Sequence, residues 1–159
     1  MLKRIYEQKG KKVLITHFAD LLKFICKNYF DWDGVKDDKG REILQYVGTD
    51  IIRSIKPDYW VDSVKKILSF FPDEWDYVLI PDCRFPGECT RWNDDWDITT
   101  VRVIRKNFNS PLTIEQQNHI SETALDDWNF DYVIESESGL DNLSIEVCKF
   151  VKWMEDMDE

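Results

Sequence analysis

The chain has 159 residues, 43% hydrophobic and 14% aromatic, enough for one buried core and too few for two full domains. Its 31 acidic residues outweigh 21 basic ones, and the net charge of −10 excludes a broad basic face for the phosphates of a nucleic-acid polymer. With no signal-like start and no apolar run near the length that spans a bilayer, the sequence reads as one soluble, cytoplasmic domain over residues 1–159.

Met1 to Gln8 reads as two turns of a helix stopped at Gly10. Val13 to Thr16 is a short β-prone run. Leu21, Leu22, Phe24, Ile25 and Tyr29 then share a helical face behind Asp20, the expected N-cap. Residues Asp31 to Lys39, rich in Asp and Gly, read as a loop. After Gly40, the spacing of Ile43, Leu44, Val47 and Ile51 predicts a second helix, which Gly48 interrupts at a cost of about 1 kcal/mol relative to Ala. Pro57-Asp58 opens a third helix, with Trp60, Val64, Ile67, Leu68 and Phe71 on its apolar face and Pro72 as its end.

Asp76 to Ile80 is a short apolar run that reads as a buried strand. It stops at Pro81 and delivers Asp82, Arg84 and Glu88 to its carboxyl end, where open α/β sheets bind ligands; the alternative is a loop whose charges are merely solvated. Phe85 to Asp97 is irregular and charged, and Val101 to Arg105 is another strand. Thr113 with Gln116 forms a capping-box pattern, predicting a helix to about Trp128. Phe130 to Ile134 is the last strand. After a turn at Gly139, Leu140, Leu143, Val147, Phe150, Val151 and Met154 mark a terminal helix that runs into an acidic tail. Strands alternating with helices predict an α/β fold on a mostly parallel sheet with right-handed crossovers.

Cys26, Cys83, Cys89 and Cys148 show no C-x-x-C pairing and read as reduced thiols. Glu115 and His119, with Glu122 beyond, have the spacing of a metal pair but no third ligand placed with them, so no metal site is expected.

Four motifs remain: Phe18-Ala19-Asp20 with Lys23; Gly40-Arg41 through Gln45, Gly48-Thr49-Asp50 and Arg53; Pro57-Asp58-Tyr59-Trp60-Val61; and Asp82-x-Arg84-Phe85 with Glu88. In this order and with similar gaps they resemble the bacteriophage-type deoxynucleoside monophosphate kinases. His119-x-Ser121-Glu122 before Phe130-Asp131-Tyr132 is similar to that family's closing segment.

The resemblance implies a three-layer P-loop α/β sandwich that moves the γ-phosphoryl of ATP, with Mg²⁺, onto a deoxynucleoside monophosphate. It places Lys23, Arg41, Gly48, Thr49, Arg53, Trp60 and Glu88 around the acceptor nucleotide and gives Asp82 and Arg84 catalytic roles. Read from the residues alone, Trp60 either stacks on a base or belongs to an apolar stripe with Val64 and Ile67, Gly48 permits close approach of a ligand, and Arg41 and Arg53 either grip a phosphate or are two solvated helix ends.

The 159 residues contain no G-x-x-x-x-G-K-[ST], the loop that holds the β- and γ-phosphates. Gly34 and Gly40 stand one residue too far apart, and Arg41 follows in place of Lys. Against the family, the first strand, which lies centrally between the strand at Asp82 and that at Val101, is missing together with the loop. The expectation is therefore a non-catalytic protein that binds a nucleotide or a protein partner, such as a phage-encoded inhibitor of host defence, with no cofactor of its own. The alternative is a fragment of an active kinase that uses ATP and Mg²⁺ through a loop encoded upstream of a misassigned start. A sheet deprived of its middle strand also predicts a protein partner, with a homodimer first.

Overall fold

The computed structural model describes residues 1–92, 96–137 and 139–157. Part of the irregular stretch before Val101 and the end of the acidic tail lie outside the described residues. In chain order the elements are α1 (Leu2–Gln8), β1 (Val13–Ile15), α2 (Ala19–Tyr29), α3 (Asp38–Gln45), a π-helix (Tyr46–Arg53), α4 (Tyr59–Leu68), β2 (Tyr77–Leu79), α5 (Pro86–Thr90), β3 (Val101–Arg105), α6 (Ile114–Asn118), α7 (Ile120–Thr123), β4 (Tyr132–Ser136) and α8 (Leu140–Met157). The fold is α/β, as expected.

Among the described residues, the strands form two parallel pairs. β1 pairs with β2, Val13 opposite Tyr77, and β3 with β4, Val101 opposite Tyr132. Side chains alternate across the first pair, as the pleat requires. Leu14, Val78 and Ile80 pack on a cluster of Phe18, Trp60, Val61, Val64 and Leu68 from α2 and α4. Val13, Tyr77 and Leu79 pack instead with Tyr6 of α1 and Val151 of α8, where the Tyr6 and Tyr77 rings stack at 4.2 Å. The second pair rests Ile134 on Val147 and Phe150 of α8.

Helix α1 belongs to both halves. Its Leu2 and Ile5 pack against the β1–β2 cluster and also against that of β3–β4. Away from α1 and α8 the second pair is open along β3: Val103 is 63% exposed although its register partner Ile134 is 5% exposed.

Several boundaries differ from the sequence reading. Asp20 lies inside the first turn of α2 and caps nothing. The exposed N–H groups at the start of this helix are met by Asp82, whose two carboxylate oxygens accept from the backbone N–H of Phe18 and Ala19, both at 3.0 Å. Helix α3 begins before Gly40, because Asp37 caps it by accepting from the Gly40 N–H at 2.8 Å. The Thr113–Gln116 capping box is present, but the helix it opens stops at Asn118. His119 takes an extended conformation there and starts α7 by accepting from the Ser121 N–H at 3.2 Å. The last strand begins and ends two residues later than expected.

Candidate functional site

The residues that follow the carboxyl ends of β1, β2 and β3 meet at one cleft of about 150 Å³. Lys23, Arg41, Gly48, Thr49, Arg53, Trp60, Asp82, Arg84 and Glu88 all line it, so every site residue expected from sequence is brought to one place. Lys36, Phe85, Gln116, Ser121 and Glu122 line it too, and the sequence reading gave none of them a site role. The last two stand in the closing motif, which was a signal at hand. Lys36 and Gln116 carried none.

How Arg41 and Arg53 come to share the cleft is a matter of helix geometry. On a uniform α-helix, 12 residues would leave them about 120° apart around the axis. The π-helix from Tyr46 to Arg53 has wider turns, so each residue advances through a smaller angle and Arg53 swings back to the face of Arg41. Gly48 lies in this segment. A Cβ there would meet Leu22 Cδ2 at 2.6 Å, so the missing side chain accommodates α2. The Gly48 carbonyl accepts from the Trp60 indole N–H at 3.1 Å. Trp60, 3% exposed, is thus a fixed floor of the cleft and part of the core.

Glu88 organises the opposite wall. It is 3% exposed, and its carboxylate accepts from Arg53 Nη2 at 2.8 Å and from the backbone N–H groups of Arg84 at 2.6 Å and Phe85 at 3.1 Å. Arg53 also donates to the Pro57 carbonyl and lies 3.8 Å above the Phe85 ring, a cation–π contact. Arg84 donates to the Ser121 carbonyl at 3.1 Å and pairs with Glu122, joining the loop after β2 to α7. Lys23 pairs with Asp20 at 3.0 Å. Burial works against ionisation of Asp20, but Lys23 and His17 beside it outweigh that and hold its carboxyl below the usual range.

Three donor groups in the cleft are left over. Arg41 and Lys36 make no side-chain hydrogen bond or ion pair among the described residues, and the buried Nε of Arg53 has no acceptor. Glu115, His119 and Glu122 do not form a metal cluster: His119 Nδ1 lies 2.8 Å from Ser121 Oγ, and Glu122 is held by Arg84. Nor, among the described residues, does any group of three or more His, Cys, Asp or Glu side chains offer a cation site. Asp82, the carboxylate nearest that role, accepts one backbone N–H of the start of α2 on each oxygen.

Parallel strands that bring arginines, lysines and carboxylates to one cleft beyond their carboxyl ends define an α/β protein of the nucleotide-kinase-like kind. Residues 2–147 match the family model for deoxynucleotide monophosphate kinase, and the chain belongs to that family. No curated protein matches it.

Proposed function

We propose that the chain binds a deoxynucleoside monophosphate in this cleft and that these 159 residues by themselves transfer no phosphoryl group. The observation that carries the first half is the pair of arginines on one wall with open donors, Arg41 unpaired and Arg53 with a buried N–H lacking an acceptor. Guanidinium groups grip phosphate oxygens through two donors at once, and an orphaned buried donor is a cost that such an oxygen removes. The second half rests on chemistry. Phosphoryl transfer depends on positioning and charge stabilisation, and the sequence lacks the loop and lysine that would supply both for the β- and γ-phosphates of ATP.

Titration calorimetry tests the binding. Saturable uptake of a deoxynucleoside monophosphate, lost in Arg41→Ala and absent for the bare deoxynucleoside, is the expected result. Absence of uptake for every common deoxynucleoside monophosphate overturns the reading. ADP release from ATP in the presence of these acceptors, abolished by Asp82→Ala, contradicts the second half.

One observation favours a further reading, in which the two strand pairs are halves of a single sheet and the seam between β2 and β3 receives another parallel strand. A lone parallel pair is marginal, and parallel sheets are ordinarily covered on both faces, yet Val103 and Ile104 are 63% and 38% exposed. Helix α1 lies across the seam, so a strand there would lead through it to β1 as a right-handed crossover. In this reading a longer product carries the strand and phosphate loop ahead of Met1 and is an active kinase that uses ATP and Mg²⁺. An in-frame G-x-x-x-x-G-K-[ST] upstream in the coding DNA, and ATP-dependent turnover by the extended chain, are its requirements. A compact monomer of residues 1–159 that unfolds cooperatively, with no such reading frame upstream, refutes it.

A further inference from the structure

The loop that carries Asp82 and Arg84 to the cleft is closed by two thiols. Cys83 and Cys89 bring their sulfurs to 3.4 Å because Cys83 follows the residue that anchors α2, while Cys89 stands in α5, whose start is drawn back by the Glu88 carboxylate onto the Arg84 and Phe85 N–H groups. The other two cysteines are differently placed: Cys26 is fully buried and Cys148 lies exposed on α8.

We propose that Cys83 and Cys89 are a redox-active pair which peroxide closes to an intramolecular disulfide, and that closure stiffens the loop forming one wall of the cleft. A disulfide sets the sulfurs about 2.05 Å apart, so closure asks for a movement of about 1.4 Å, within reach of side-chain rotation and a small shift of a five-residue helix. The ring so formed encloses Arg84, Phe85 and Glu88, the residues that seat Arg53 and reach α7.

The electronic arrangement agrees. The shared hydrogen bond from the Cys83 thiol favours a thiolate on Cys89 and lowers its pKa, although burial opposes this, and the same bond with burial raises that of Cys83. Burial alone pushes the Cys26 thiol up and leaves it inert.

With hydrogen peroxide as oxidant, the Cys89 thiolate attacks one oxygen, the O–O bond breaks, and the departing hydroxide takes a proton to leave as water. The product is a sulfenic acid. Cys83 sulfur then attacks Cys89 sulfur, the S–O bond breaks, and the leaving hydroxide takes the Cys83 proton as a second water. Two thiols are oxidised and one peroxide is reduced to two waters. None of this depends on what the cleft binds.

The test uses the unaltered chain, reduced, freed of reductant and exposed to hydrogen peroxide. Trypsin cuts after Arg84, between the two cysteines, so a disulfide joins the peptide ending at Arg84 to the one ending at Arg91. The expected result is that linked pair, Cys26 and Cys148 recovered as free thiols with no disulfide between chains, and slowed amide hydrogen exchange over residues 84–90. Cys83 and Cys89 recovered unlinked, individually over-oxidised, or joined to Cys148 overturns the pairing. A linked pair with unchanged exchange over 84–90 overturns its effect on the cleft wall.

Discussion

Arg53 and Glu88, 35 residues apart, meet at 2.8 Å with side chains 15% and 2% exposed. Removing one partner of such a pair strands the other charge, so Glu88→Ala should cost about 3 kcal/mol of stability. Urea unfolding measures this. The loss should exceed that of Glu135→Ala, which breaks the surface pair with Lys106.

Asp82 reads in the sequence as a catalytic carboxylate, but its two bonds to the start of α2 give it a measurable structural task. Asp82→Ala should lower stability by about 1–2 kcal/mol, as loss of a helix cap does, and Asp82→Asn by less because one acceptor oxygen remains. Thermal unfolding without any nucleotide separates this role from a catalytic one. An unshifted midpoint in Asp82→Ala would remove it.

Gly40 and Gly48 respond differently to an added methyl group. At Gly40 a Cβ would lie 2.0 Å from the Val35 carbonyl oxygen and 2.8 Å from Trp32 Nε1, two atoms already hydrogen-bonded to each other at 2.8 Å. Gly40→Ala should therefore cost about 2–3 kcal/mol. At Gly48 the obstacle is the end of a leucine side chain, which can turn, and alanine's helical preference of about 1 kcal/mol offsets the crowding. Denaturant midpoints should fall for the first variant and stay close to the parent for the second.

Stability should fall in acid through Asp62. Its hydrogen-bonded ion pair with Arg91, at 2.8 Å, holds the carboxyl below the ordinary value of 3.8, more than offsetting its slight burial. A group whose pKa is depressed on folding contributes stability above the unfolded pKa, and that contribution is lost as pH falls through the folded one. Unfolding midpoints compared between pH 6 and about pH 2 should thus decline less in Asp62→Asn than in the parent. An equal decline would show that the pair does not survive in solution.

What the sequence reveals follows from how far apart the interacting residues stand. β3 at Val101–Arg105, the stop at Gly10 and the Thr113–Gln116 box were legible because each is written in a few neighbouring residues. The cap on α2 was not, since its acceptor lies 63 residues away while the nearby Asp20 offered a plausible local substitute. Nor does a π-helix announce itself: Ile43, Leu44, Val47 and Ile51 satisfy an α-helical period, and the neighbours of the wider turn, Leu22 and Trp60, come from other segments of the chain. The site motifs pointed to one cleft, but Glu88 proved to be the residue that holds other groups in place, a role visible only once its three donors are in view.

The roof that α1 lays over both strand pairs has a consequence for the cleft on their edge. One wall follows β2, with Asp82 and Arg84, and another follows β3, with Gln116, Ser121 and Glu122. Among the described residues no ladder of backbone hydrogen bonds joins one pair to the other, so their separation is set by apolar packing, of Leu2 and Ile5 in both clusters and of α8 through Val151 in one and Val147 and Phe150 in the other, and by the Arg84 link to α7. Apolar contact has no register and follows the bulk of what is inserted. The gauge of the cleft therefore depends in part on aliphatic side chains that do not line it, and trimming or enlarging Ile5 should shift the size of ligand admitted while leaving every residue of the cleft unchanged.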